Sequence, residues 1–169
     1  PESFFQVNTK QTINLYNQIL EYTNPNKEDK VLDLYCGTGT IGIYLSKYVK
    51  EVLGIEINKS SIENANQNKI LNNIDNISFK QGNVSKVLDL NYKADIIVVD
   101  PPRSGLDKHT IDTILKINPK KIIYVSCDPI TLSRDINRLV DNYKLDSIKL
   151  YDMFPQTYHI ESICLLTRI

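Results

Sequence analysis

The chain lacks any uninterrupted apolar run of the roughly 18 residues that a membrane-spanning helix needs. Its first residues, Pro1-Glu2-Ser3-Phe4-Phe5-Gln6, hold neither an initiator methionine nor a basic segment followed by an apolar one and a cleavage site. The missing span and leader point to a cytoplasmic protein with no membrane partner, and the missing methionine points to a fragment. Cysteine is scarce, with three in 169 residues. Cys36, Cys127 and Cys164 are odd in number and lack metal-ligand spacing, which argues against a disulfide framework or a structural zinc site, and no metal is expected. Net charge is also missing, since 20 basic residues balance 20 acidic ones. Proteins that displace counterions from nucleic-acid phosphates usually carry excess positive charge, so this chain alone should hold a nucleic acid such as RNA, or any other polyanion, only weakly. No repeat or low-complexity tract is present. The abundance of Asn, Lys and Ile reads as compositional bias. What remains is a length suited to one domain, a 41% apolar content sufficient for one buried core, and the expectation of a monomer.

Strands and helices alternate along the chain. Asn8 is placed to cap a helix with Gln11 three positions on and an apolar stripe of Ile13, Leu15, Tyr16, Ile19 and Leu20, ending near Thr23 before Asn24-Pro25. A strand over 31–35 opens into Cys36-Gly37-Thr38-Gly39-Thr40 and then a helix from Ile41 to Leu45. A second strand, 52–55, ends at Glu56, and a helix follows over 60–71. Further strands are expected at 77–80, at 94–99 before Asp100-Pro101-Pro102, and at 121–125 before Ser126-Cys127-Asp128-Pro129. Helices are expected through Ile111, Ile114 and Leu115, and over 131–140. The last two strands, 144–151 and 161–168, have no helix between them, which suggests a C-terminal antiparallel hairpin. Continuous apolar strands alternating with helices predict an α/β doubly wound, mostly parallel seven-stranded sheet covered on both faces. Such sheets bind ligands at the carboxyl ends of their strands. Cys36-Gly37, Glu56, Asp100 and Cys127 fall at four such ends.

Gly37 and Gly39 let backbone approach a ligand without a Cβ clash, and the following helix aims its amide donors at the same crevice. That suits a nucleotide-like cofactor. Gly37-Thr38-Gly39-Thr40-Ile41-Gly42 also satisfies the G-x-G-x-x-G dinucleotide spacing, so NAD stays open on the motif alone. Glu56, about twenty residues on, suits a ribose diol in either case. A tight strand-to-helix turn would explain an isolated pair of glycines; Glu56 and Asp100 at neighbouring strand ends favour a binding site. Together with Asp33 to Gly39, Asp100-Pro101-Pro102 resembles the class I S-adenosylmethionine-dependent methyltransferases, whose Rossmann-like fold is the one predicted here.

Five segments carry a narrower resemblance: Ser3 to Asn8, Asp33 to Gly39, Asp100 to Gly105, Tyr124 to Pro129, and Asp152 to Pro155 with His159-Ile160-Glu161. In this order they resemble the RNA (uracil-5-)-methyltransferase family over nearly the whole chain. The resemblance implies that residues 1–169 are a catalytic domain lacking N-terminal RNA-binding parts. It implies S-adenosyl-L-methionine as cofactor and a uridine in RNA as substrate, with ribosomal RNA favoured over transfer RNA. By the same resemblance Cys127 is the nucleophile, Glu161 is the base that removes the carbon 5 proton, and Gln6, Tyr35, Glu56 and Asp100 contact the cofactor, alongside Gly37. Carbon 5 of uracil is a weak nucleophile, and thiolate addition at carbon 6 enriches it, which fits a cysteine at a strand end.

The chain departs from the family pattern at Asp128, where Asn is usual, at Gln156, where His is usual, and at Asn83, which replaces an acidic residue and can still bond an adenine amine through its amide. Asp128 would raise the Cys127 pKa if left unpaired, so it is expected to cap the next helix. Arg103 and His159 are candidate substrate contacts, Arg103 toward a phosphate. Cys36 and Cys164 read as structural, His109 as surface, and Lys47, Lys50, Lys120 and Lys121 as solvated faces. RNA cytosine-5 methylation would require a second cysteine where Arg103 stands, and a non-catalytic cofactor-fold module would not need Cys127 with Glu161.

Overall fold

The computed structural model describes residues 9–88, 91–152 and 160–169. Its elements are α1 (Thr9–Thr23), β1 (Lys30–Leu34), α2 (Thr40–Ser46), β2 (Glu51–Glu56), α3 (Lys59–Leu71), β3 (Ile77–Gln81), α4 (Val84–Val87), β4 (Ile96–Val99), α5 (Lys108–Ile117), β5 (Lys121–Ser126), α6 (Pro129–Asn137), β6 (Tyr143–Tyr151) and β7 (Glu161–Arg168). Seven strands form one sheet in the order β3-β2-β1-β4-β5-β7-β6. The neighbours from β3 through β5 pair in parallel, and β7 runs antiparallel between β5 and β6.

The apolar strands divide their side chains between two cores, as the period of two along a strand requires. Leu32, Leu34, Ile97, Val99, Ile122 and Tyr124 face one layer with Ile111 and Ile114 of α5 and Leu132 of α6. Val31, Ile96, Val98, Ile123 and Ile163 face the other, with Leu15 and Ile19 of α1 and Leu45 of α2. The β4 run Ile-Ile-Val-Val is therefore buried along its whole length, the pattern of a strand covered on both faces. No helix among the described residues is long and apolar enough to cross a membrane.

The predicted fold class is the one observed. The antiparallel C-terminal pair is present, and β7 rather than β6 adjoins β5, so the hairpin folds back into the sheet. Helix α4 was not anticipated, because four residues are too few to show a helical period. Lys121 corrects an expectation. It is half-buried, and its Nζ donates to the Thr23 carbonyl at 2.8 Å, closing the C-terminus of α1 with a cation where the helix dipole is negative. Cys164 is fully buried in β7, and His109 is exposed at the start of α5.

Candidate active site

Parallel strands end at one edge of a sheet, and an antiparallel neighbour begins there. The carboxyl ends of β1, β2, β4 and β5 consequently share an edge with the first residue of β7, which is Glu161. The β5–β7 register pairs Tyr124 with Cys164 and Ser126 with Ser162. The ladder stops there, and the next residues along each strand are Cys127, in the bend after β5, and Glu161, the first residue of β7, so both lie at this edge.

Cys127 sits in the bend between β5 and α6, half-buried, while Glu161 is only 9% exposed. Burial raises the thiol pKa above its usual value; the charges of Glu161 and Asp100 add to the rise, and Arg103 opposes it. Burial likewise raises the Glu161 carboxyl, with Arg103 again opposing. Arg103, Asp100, Glu161 and Cys127 are thus within electrostatic reach of one another. Asp128 is paired as expected. Its carboxylate accepts from the N–H groups of Ile130 at 3.0 Å and Thr131 at 2.8 Å, and these bonds hold its pKa below the ordinary carboxylate value. Pro129 follows at the first helical turn, where its missing N–H costs nothing.

The glycine loop is built for close approach. Tyr35 and Gly37 adopt positive φ of 61° and 51°, and a Cβ on Gly37 would meet nothing within 4 Å, so open space adjoins the backbone there. Glu56 is pinned by two main-chain donors, Gly37 N–H at 3.2 Å and Asn58 N–H at 2.8 Å, which fixes its carboxylate beside the loop. Tyr35 is half-buried and shares a 3.2 Å hydrogen bond with the Thr110 hydroxyl of α5. Asp33 is wholly buried. Its Oδ2 accepts from Gly42 N–H at 2.9 Å, and its Oδ1 has no partner among the described residues. Burial, opposed by the Gly42 bond and reinforced by the charge of Asp100, pushes its carboxyl up to about 7. Asp100 opens onto the crevice at its surface, yet the protein packed around it, with the charge of Glu161, pushes it up to about 7 as well. Cys36 is buried in the loop, with its thiol raised chiefly by that burial.

An orphaned buried acceptor, a fixed carboxylate and an unfilled space beside Gly37 fit a ligand that has a hydroxylated sugar and a cationic or N–H-bearing end. Asn83 lies between β3 and α4, where its carbonyl accepts from Lys86 and Val87 N–H. Gln6 and His159 lie outside the described residues.

Gly39 holds the loop against the sheet. Its φ is +78°, and a Cβ there would lie 2.5 Å from Phe79 Cζ and 2.7 Å from Cε1. Gly39→Ala should cost about 2–4 kcal/mol from the left-handed backbone and the overlap together. Thermal unfolding of the intact protein should show it as a melting point lower by about 5–15 °C.

The family model described as tRNA (Uracil-5-)-methyltransferase matches residues 1–169. The chain belongs to the tRNA (uracil-5-)-methyltransferase family. An RNA methyltransferase of uncharacterized function from Clostridium tetani is 46% identical over 172 residues, covering 99% of this chain and 37% of the relative. One from Staphylococcus aureus is 44% identical over 169 residues, covering 97% and 37%. The chain therefore spans little more than a third of the length of these relatives. Among solved structures, the Pyrococcus abyssi tRNA (uracil-54, C5)-methyltransferase in complex with S-adenosyl-L-homocysteine superposes with a TM-score of 0.88 at 38% identity, covering 99% of this chain and 41% of that one. TrmN from Thermus thermophilus shares the fold alone, with a TM-score of 0.71 at 16% identity.

The sequence reading of this family member missed Asp135 on α6, which ties the loop after Asp100-Pro101-Pro102 to the end of β5. The signal was present: an acidic residue on the apolar stripe of Leu132 and Leu139, with Arg134 and Arg138 at positions −1 and +3.

Proposed function

We propose that the chain transfers a methyl group from S-adenosylmethionine to carbon 5 of a uridine in RNA. The observation that carries this reading is that the β5–β7 register brings Cys127 and Glu161 to one sheet edge, within electrostatic reach of each other and next to a glycine loop suited to the cofactor. Glu56 would hold the ribose, Gly37 would admit the cofactor against its backbone, Asp100 would lie near the methionine end, and Asn83 would bond the adenine amine, with Tyr35 and Gln6 as further contacts. When bound, S-adenosylmethionine supplies an electrophilic methyl group.

The chain's residues supply the remaining chemistry. Cys127, as thiolate, forms a bond to carbon 6, and the carbon 5–carbon 6 double-bond electrons move into an enolate that makes carbon 5 nucleophilic. Once carbon 5 is methylated, its proton is acidic. Glu161 takes that proton, the electron pair re-forms the double bond, and the thiolate leaves. A carboxyl raised by burial is the stronger base for this step. Arg103, on the exposed loop after Asp100, favours the charged forms of both groups and would also meet a phosphate of the RNA.

RNA carrying 5-fluorouridine at the target tests the reading, because a carbon 5 fluorine cannot leave as a cation and the cycle stops at the methylated adduct. Incubation with this RNA and S-adenosylmethionine should give a denaturant-stable protein–RNA complex whose crosslinked peptide contains Cys127. Methylation of ordinary RNA without any such adduct would refute a thiol mechanism. The family description and the Pyrococcus relative name transfer RNA, whereas the sequence reading favoured ribosomal RNA. Mapping 5-methyluridine in both RNAs from cells lacking the gene assigns the target.

A further inference from the structure

Asp135 is fully buried on α6 and takes no part in the chemistry above. A buried carboxylate requires partners, because an unpaired buried charge is strongly unfavourable. Its Oδ2 accepts from the Leu106 N–H at 2.7 Å and from the Tyr124 hydroxyl at 2.8 Å. Its Oδ1 accepts from Arg134 Nε at 2.9 Å and lies 3.5 Å from Arg138 Nη1. The same arginines also bond the loop. Arg134 Nη2 donates to the carbonyls of Ser104 at 2.8 Å and Leu106 at 3.3 Å, and Arg138 Nη1 donates to Leu106 at 3.4 Å. Thr131, earlier on α6, donates to the Arg103 carbonyl at 3.1 Å. Gly105 turns at φ +72°, and a Cβ there would lie 2.4 Å from Asp135 Oδ2. The loop is seated directly on the carboxylate.

Helix α6 begins two residues after Cys127, so one helix both follows the thiol and clamps the loop that carries Arg103. The geometry points to Asp135 as a positioning residue for methyl transfer: by fixing the main chain of 103–106 against α6 and Tyr124 of β5, it sets where Arg103 stands relative to Cys127 and Glu161. The inference rests on the proposed reaction. Arg103 is the cation acting on Cys127, Glu161 and Asp128, and the opposing charges near the thiol come from Glu161 on β7 and Asp100 after β4. Facing Asp135 itself are Arg134 and Arg138 from its own helix and the hydroxyl of Tyr124 from β5, with Tyr35 also within electrostatic reach.

Asp135→Asn in the intact protein preserves shape but turns an amide NH₂ toward groups that need acceptors. The kcat should fall about tenfold to a hundredfold, the loss a displacement of about 1 Å at a catalytic group produces. KM for S-adenosylmethionine should stay within about twofold, since the interaction acts on the reaction and not on cofactor binding. With Arg103 displaced, Cys127 and Glu161 both ionise at higher pH, so the rising limb of the pH–rate profile should move to higher pH. If the variant does not fold, Thr131→Val removes the hydroxyl shared between the Arg103 carbonyl and the Asp128 carboxylate while the N–H groups of Ile130 and Thr131 still hold Asp128 and the buried carboxylate stays, and it should move the limb in the same direction. An unchanged kcat and profile, or a lower melting temperature with an unmoved profile, overturns the inference. If the wild-type protein forms no Cys127 adduct with 5-fluorouridine RNA, the proposed reaction fails instead.

Discussion

Cys127→Ala in the intact protein should reduce methyl transfer by about 10⁴-fold or more, the scale on which a removed nucleophile is felt, and should abolish the adduct with 5-fluorouridine RNA. At 1.36 kcal/mol per decade that is more than about 5 kcal/mol of lost transition-state stabilisation. The fold should barely register the change. Cys127 is half-buried in a bend, outside both apolar cores, and substitutions at such places usually fall within about 1 kcal/mol. The variant should therefore keep its melting temperature and bind S-adenosylhomocysteine as the wild type does, so the loss reads as chemistry alone. An adduct that persists in this variant would move the nucleophile elsewhere. The pH dependence of the wild type has a defined sign. Burial and the charges of Glu161 and Asp100 raise the thiol, which therefore becomes thiolate only as pH climbs above its ordinary range. Glu161, raised by burial, must also be deprotonated to act. Both requirements make the rate rise with pH, and neither gives a falling limb.

Much of this was legible in the sequence because a doubly wound sheet writes its own pattern. Strands buried on both faces are largely apolar, as in Ile96–Val99, and Glu56, Asp100 and Cys127 stand where such runs stop, Asp33 inside β1 being a buried exception. The proximity of Cys127 and Glu161 is not legible from spacing, since about 34 positions separate them and only the insertion of β7 beside β5 brings them to one edge of the sheet. Strand order depends on contacts that leave no local period. The charge of Lys121 suggests a solvated face, whereas the residue is half-buried and its ammonium reaches the Thr23 carbonyl at the end of α1. Asp135 escaped because it looks like one more charged residue in a helix, and its partners come from a loop about 30 residues earlier. Gln6 and His159, singled out in sequence, lie outside the described residues.

Glu161→Gln should separate the two halves of the cycle. Glutamine fills the same space and cannot accept the carbon 5 proton, so turnover should fall about 10²–10⁴-fold, the range for a lost general base. Addition should not slow. The charge of Glu161 is one of the factors raising the Cys127 pKa, so its removal lowers that pKa and increases the thiolate fraction near neutral pH. The same removal lowers the Asp100 carboxyl, which Glu161 also raises. The expected result with ordinary RNA and methyl-labelled S-adenosylmethionine is one methyl group per protein, held in a denaturant-stable protein–RNA complex that forms at least as fast as in the wild type and breaks down slowly. The label separates this outcome from a simple block, because a methylated adduct can accumulate only if the steps before proton removal are intact. Unaffected turnover would assign the base to another residue. Slow turnover without labelled complex would place the role of Glu161 before methylation, in orienting the base or holding the loop, and would remove it from the elimination step.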